Sequence, residues 1–586
     1  MLTINKINSL AFYQKKLNNV QEKNVNVNEK TLDGDDLTNK SLDFLALQNL
    51  SNIKRISFKS SDNKEYKNNL RTMIQNNESV MMGIVPRTFT AVDLNGDEFI
   101  THSIGEKNGT FLSAIDRLDE MKDLGINTLH ILPIHPTGKK KALGTAGSIY
   151  SPKEFVTKDG SLALDPMLID KNDSRTPNEQ FKAFINECHK RDIKVMLDLP
   201  SCASVDLFEA EPKLMAIGRN GEDKTPQGWA DIRMFNPWED ETKRTLNPNL
   251  LMMHKQYVDA CIDLGIDGIR ADVARAKPTE FWDILIKYSH KKDPEFAWLG
   301  EAYTYECASP QVNMPYDRPM DTLRAGFDEY YGQYHIFYDW KNATEFNENV
   351  ILNLMMSRKL PKGKSCLGSF TTHDDKSAML HGGKNYCNQT TIIQATLPMC
   401  NPYFIDGFQS GDYYDYQYSD KKIKKTFTQD KELFTHPYQL DIFNLSRKPG
   451  GKHPEIGRVM KKTLEMRRKN KDLFSDKESS FIVLDKKGDV SDKIITYARH
   501  NRKTGRTAIV IANKNVNRNI TGTILVPHLK SNQKLVNMVP NYSKPSEFQV
   551  AKGEIRVDLA PASAYVFEIN TPNIEKDRKG HVFRQK

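Results

Sequence analysis

Between residues 126 and 302 the chain reads INTLHILPI (126–134), IKVMLDL (193–199), IDGIRAD (266–272) and FAWLGEA (296–302), and these runs decide the fold. Each is short, apolar and nearly continuous, as a strand buried on both faces of a parallel sheet must be. Working outward, VMMGIV (80–85), QYHIFY (333–338), LGSFTTH (367–373) and NPYFI (401–405) bring the set to eight.

Helical patterns lie between the strands. Thr176-Pro177-Asn178-Glu179 is a capping box with proline at the first helical position. Behind it, Phe181, Phe184, Ile185 and Cys188 form one apolar face. Phe111, Ile115, Leu118, Met121 and Leu124 recur at the same period. Eight strand–helix units predict an α/β fold, a (β/α)8 TIM barrel over about 76–477. Long segments after strand two (137–173) and strand three (200–246) predict a loop excursion over the barrel mouth. After a last barrel helix near 454–474, the pattern switches to period two. SFIVLD, KIITYAR, RTAIVIAN, GTILVP and AYVFEI predict a small C-terminal antiparallel β-sandwich domain over 478–570. Residues 1–75 are rich in Asn, Lys, Asp and Ser and predict a partly disordered leader; 571–586 predict a polar, mobile tail.

Bulk properties exclude some classes. The net charge is +9 over 586 residues, but Lys and Arg are spread along the chain without interleaved aromatics, so no nucleic-acid partner is expected. No stretch is apolar enough to span a bilayer, so no membrane association is expected. Seven scattered cysteines form neither a CxxC pair nor a Cys/His cluster, which argues against zinc and suits a reducing compartment. The first 24 residues lack a signal-peptide core, and the expected location is the cytoplasm.

A barrel carries its chemistry at the C-terminal ends of its strands. Here those ends bring His135, Asp198, Arg270, Asp272, Glu301, His373, Asp374 and Asp375 toward one rim. Retaining glycoside cleavage needs a nucleophilic carboxylate and a protonated one about 5–5.5 Å apart. Neighbouring strand ends, at roughly 4.8 Å spacing, can present such a pair. Arg270, on the same strand face as Asp272, favours the ionised carboxylate a nucleophile needs. Trp298-Leu299-Gly300 gives Glu301 an apolar setting suited to an acid.

GIDGIRAD, WLGEAY and FTTHDD, in that order, resemble the nucleophile, acid/base and stabiliser motifs of the α-amylase family, glycoside hydrolase family 13. The resemblance implies Asp272 as nucleophile, Glu301 as general acid/base and Asp374 as transition-state stabiliser. It implies substrate-binding roles for Arg270, which would also orient the nucleophile, and for His373. ILPIHP and GSIYSP (147–152) are similar to the family's next segments and add His135 and Tyr150. The implied activity is retaining hydrolysis or transglycosylation of α-1,4-glucans, such as starch, glycogen or maltooligosaccharides, through a glycosyl-aspartate.

One segment departs from the family. DLPSCAS (198–204) places Cys202 and Ala203 where typical members carry an Asn that helps bind calcium and a His that touches sugar. Calcium prefers oxygen ligands, which argues against that site, and no other metal or cofactor is expected. DLPSCAS, PIHPTGK and RADVARAKPTEFWDILI are together similar to the maltosyltransferases that use maltose 1-phosphate. That likeness adds Lys277 to the substrate-binding set and keeps transfer open as an alternative outcome. His373, where those enzymes have proline, and the short polar leader run against it.

Plainer readings stand beside these. Asp375 reads as a solvated neighbour of Asp374, and Asp198 equally as a structural holder of Arg270. Cys202 reads as an inert buried thiol. Trp229 and Trp238 read equally as sugar-stacking and loop-packing residues. Of other classes, a non-catalytic carbohydrate-binding or scaffold relative fits the altered strand-three segment but not three intact acid motifs. A metal-dependent barrel hydrolase lacks its histidine pair in VMMGIVPR. Oligomeric state is not legible.

Overall fold

The computed structural model describes residues 66–95, 100–142, 147–218, 220–226, 231–303, 317–413, 453–488, 491–539, 546–575 and 582–585. Eight parallel strands close into a barrel: β1 (Met81–Ile84), β2 (Thr128–Ile131), β3 (Lys194–Leu199), β4 (Gly268–Ala271), β5 (Ala297–Tyr303), β6 (Glu329–Tyr331), β7 (Ser365–Gly368) and β8 (Cys400–Ile405). Their spatial order follows the sequence, and β1 pairs with both β2 and β8.

Side chains alternate as the pleat demands. Met82, Ile84, Leu129, Ile131, Val195, Leu197, Ile269 and Trp298 face outward and join one core with the helices. Met81, Met196, Ala297, Leu299, Leu367 and Tyr403 pack together inside the barrel. The inward positions above them are polar: His130, Asp198, Arg270 and Glu301. The β3–β4 register sets Asp198 directly beside Arg270. The capping box at Thr176 forms as its sequence predicts and starts the helix Pro177–Lys190.

Four sequence expectations differ from the structure. The sixth strand is Glu329–Tyr331, not 333–338. Gln333 adopts a left-handed φ of 61°, which ends extension, and Tyr334–Asp339 forms a 3-10 helix that buries Tyr334 and Phe337 one turn apart. The seventh strand ends at Gly368, so Thr372–Asp375 belongs to the loop beyond it. The polar leader expected over 1–75 lies, up to residue 65, outside the described residues. Its last part forms a helix, Leu70–Gln75, whose Leu70 and Ile74 pack into the interior cluster and close the barrel's N-terminal end. The polar tail is tied down: Val582–Phe583 pair with Phe481–Ile482, and Gln585 donates to the Lys364 carbonyl.

The loops after β2 and β3 merge into one lobe over the barrel mouth. Cys202–Ser204 pairs antiparallel with Ile232–Met234, and the Ser204 N–H donates to Pro152 O at 2.9 Å. Beyond the helix Pro454–Lys469, six- and four-stranded antiparallel sheets form the C-terminal domain. No helix among the described residues is long and apolar enough to cross a membrane.

Candidate active site

Arg270 is the hub. It is fully buried where β4 meets the mouth. Its Nη1 donates to Asp198 Oδ1 at 2.9 Å and Oδ2 at 3.0 Å, and to Asp272 Oδ1 at 2.9 Å. Its Nη2 donates to Glu301 Oε2 at 2.7 Å. One guanidinium therefore holds three carboxylates, including both members of the expected reacting pair. Burial works against the charge on Arg270, but the Asp198 carboxylate beside it outweighs burial and keeps the group cationic.

Asp198 supports the hub from below. It accepts from Arg270, from His130 Nε2 at 3.1 Å and from the Tyr150 hydroxyl at 2.9 Å. Burial alone would raise it, but Arg270 and His130 hold it down at about 2. With Nε2 donating, His130 Nδ1 accepts from the Tyr403 hydroxyl at 3.1 Å. Burial lowers the pKa of His130, which stays neutral between these partners.

The three expected catalytic acids surround the hub. Asp272 Oδ2 accepts from the Ser201 N–H at 3.0 Å and the Ser201 hydroxyl at 2.9 Å. Glu301 accepts from Val273 N–H at 2.9 Å as well as from Arg270. Val273 pays for that aim with a left-handed φ of 33°, an outlier for a β-branched residue. Burial, opposed by Arg270 and helped by Asp272 and Asp374, pushes Glu301 up to about 8. Asp374 lies beside His373, its Oδ2 3.4 Å from His373 Nε2. Burial and neighbouring carboxylates push it upward too. Half of its side chain meets solvent, which weakens that push.

Tyr150 packs on His373, which is buried. Their rings stack with centroids 5.8 Å apart, and the Tyr150 oxygen lies 2.7 Å from His373 Nε2. Asp375 accepts from the Thr372 N–H and hydroxyl and so closes the turn that presents Asp374.

Two expected substrate contacts are placed elsewhere. His135 is buried beneath the lobe, with Nδ1 on the Ala163 carbonyl at 2.8 Å and its ring against Phe155 and Tyr257. Burial lowers it to about 4. Lys277 is also buried, behind the Asp272 loop; its Nζ donates to Ser201 O at 3.2 Å and lies over the Phe235 and Trp282 rings. Neither lines the cleft, because the lobe covers one and the loop after β4 turns the other inward. Trp238 is buried, with Arg244 over its ring, and Trp229 lies outside the described residues. His130, Tyr403, Ser201 and Val273 were missed by sequence reasoning. A polar residue inside an apolar strand was the only available signal, and it pointed to His130 alone.

The position that suits calcium in the resembled family is occupied by a cysteine. Cys202 presents a thiol that burial pushes up to about 12, not an oxygen. Asp231 has two buried side-chain oxygens without hydrogen-bond partners among the described residues. Among the described residues no group of three or more His, Cys, Asp or Glu is arranged to hold a metal.

Comparison with known proteins follows the same lines. No family model matches the chain. An α-1,4-glucan:maltose-1-phosphate maltosyltransferase of Corynebacterium glutamicum is 23% identical over 431 residues, 69% of this chain and 56% of that protein. An intracellular maltogenic amylase of Bacillus subtilis is 23% identical over 273 residues, 42% of each chain. The chain thus spans about half the length of these curated relatives. Among solved structures, a noncanonic maltogenic α-amylase from Thermotoga neapolitana aligns with a TM-score of 0.60 at 20% identity, over 85% of this chain and all of that one. An α-amylase from Lactobacillus plantarum aligns at 0.59 and 17%, with the same coverage. In sequence the chain is thus similar to maltose-1-phosphate maltosyltransferases and to a maltogenic amylase, and in fold to α-amylases.

Proposed function

We propose that this protein is a retaining glycosidase or transglycosidase acting on α-1,4-linked glucans through a covalent glycosyl-aspartate. The observation that carries the proposal is the bridging of Asp272 and Glu301 by opposite arms of Arg270. Two carboxyl groups one hydrogen bond from the same guanidinium fit the spacing of about 5 Å that double displacement uses. Their environments also divide the labour. Asp272 is held by Arg270 and Ser201, while burial pushes the Glu301 carboxyl toward its protonated form against the pull of Arg270.

In the reaction, Asp272 attacks the anomeric carbon as Glu301 gives its proton to the departing glycosidic oxygen. Glu301 then takes a proton from the incoming hydroxyl, which attacks the same carbon and frees Asp272. Asp374 faces the opening, where it can engage the sugar as charge develops. The half-buried Tyr150 ring, backed by the buried His373, can meet that ring. Water as acceptor gives hydrolysis and a sugar hydroxyl gives transfer. The maltosyltransferase relatives favour maltosyl transfer from maltose 1-phosphate as the second reading. The proposed location is the cytoplasm.

The test is incubation with maltohexaose, with and without inorganic phosphate, with products analysed by mass. Short sugars indicate hydrolysis, longer oligomers indicate transfer, and a maltosyl phosphate indicates the second reading. Asp272→Asn should abolish turnover while leaving the fold intact. Undiminished activity in that variant would sink the proposal.

A further inference from the structure

Ser201 sits in the segment where this chain departs from its family, and it touches the proposed nucleophile twice. Its N–H and hydroxyl converge on one atom, Asp272 Oδ2, at 3.0 and 2.9 Å. Ser201 is itself buried, and its carbonyl is held at 3.2 Å by Lys277 Nζ. Lys277 is locked in turn, its ammonium over the Phe235 and Trp282 rings at 5.2 and 5.8 Å. The buried Lys277 thereby ties the Ser201 carbonyl to the segment that follows Asp272.

We propose that Ser201, locked by Lys277, is a positioning residue for Asp272 that acts chiefly when the glycosyl-aspartate breaks down. The inference rests on the glycosidase reading above. When the ester forms, an Asp272 oxygen bonds the anomeric carbon, and the departing oxygen keeps its electron pair and takes the Glu301 proton. The carboxylate charge is consumed. When the acceptor oxygen attacks, the bond between anomeric carbon and Asp272 breaks and its electron pair returns to the carboxylate. Charge then builds on Asp272, and two fixed donors at Oδ2 stabilise it much as a preorganised oxyanion site would. Arg270 holds the other oxygen, so the carboxylate cannot rotate away between the two steps.

The experiment compares wild type, Ser201→Ala and Ser201→Thr on maltohexaose, reading kcat, KM and the covalent intermediate by intact-protein mass after acid quench. Loss of a hydrogen bond to a charged group predicts a fall in kcat of about tenfold to a hundredfold in Ser201→Ala. KM should hold or fall, and the fraction of glycosyl-enzyme should rise above wild type. Ser201→Thr, which keeps the hydroxyl, should recover most of kcat. If Ser201→Ala does not fold, Ser201→Cys, a weak donor of similar shape, carries the same expectation. Lys277→Met should show the same pattern more weakly. An active wild type with kcat unchanged in Ser201→Ala, or reduced without accumulation and without rescue by threonine, overturns the positioning role alone. A wild type with no turnover overturns it together with the glycosidase reading.

Discussion

At the scale of the residue, the proposed mechanism depends on similar carboxylates having different surroundings. Glu301 is the sharpest case. Burial and the nearby Asp272 and Asp374 raise it to about 8, against the pull of Arg270. A general acid works only while protonated, so activity should be present below that value and lost as pH rises through it. The basic limb of kcat/KM is expected near pH 8, well above the usual carboxyl range of about 4. Glu301→Gln should remove that limb along with most of kcat; an unchanged limb in the variant would assign it to another group. The three acids were legible in the sequence because each ends an apolar strand or follows one closely, in a recognisable motif. His135 and Lys277 were misplaced because a resemblance gives motif positions and not side-chain directions. Ser201 could not be singled out, since half of its contribution is a backbone N–H that every residue but proline has.

At the scale of the element, β3 and β4 act as one unit. Their register sets Asp198 beside Arg270, and the helix Pro248–Leu264 adds the Tyr257 hydroxyl on the Asp198 carbonyl. The eight strands were legible because burial on both faces leaves continuous apolar runs. The placement of the sixth was not, because Glu329-Tyr330-Tyr331 begins with a charge and QYHIFY looks the better strand. Glu329 can nonetheless sit inside, since burial pushes it up to about 8 and Asn401 donates to it at 2.8 Å. The pairing of His130 with Asp198 depends on a register between β2 and β3 that pattern alone does not fix. Removing Asp198 would take from a fully buried guanidinium the carboxylate that accepts from it through both oxygens, and would leave His130 Nε2 without its acceptor. Breaking one partner of a buried ion pair costs about 3–5 kcal/mol. Asp198→Ala should therefore lower stability by about that much in urea unfolding, in addition to its effect on turnover. A loss below about 1 kcal/mol would show that Asp272 and Glu301 suffice to hold Arg270.

At the scale of the whole molecule, the period-two pattern predicted a sandwich but not that one of its sheets would face two cores. Ile495, Tyr497, Ala508 and Val510 join the barrel's helical core, while Ile494, Ala498, Ile509 and Ile511 fill the sandwich. Strands Ile494–Asn501 and Thr507–Asn513 are consequently buried along their whole length. Buried arginines cross the same boundary. Arg499 Nη1 donates to the Thr396 carbonyl at 2.9 Å, and the Tyr497 hydroxyl lies 2.7 Å from that of Thr396. Arg467, on the last barrel helix, ties the carbonyls of Asn77, Ala395 and Cys400 together. Burial lowers it to about 10. The C-terminal sheet thus covers barrel helices that would otherwise present apolar surface and an unpaired Thr396 carbonyl to water. A chain ended at residue 477 should not give a soluble barrel with a slightly lowered midpoint. It should bind a hydrophobic dye, lose near-ultraviolet dichroism and aggregate, because the apolar surface laid bare belongs to the barrel's own core. Recovery of a monomeric, cooperatively melting barrel from that truncation would show that the two cores are energetically separate.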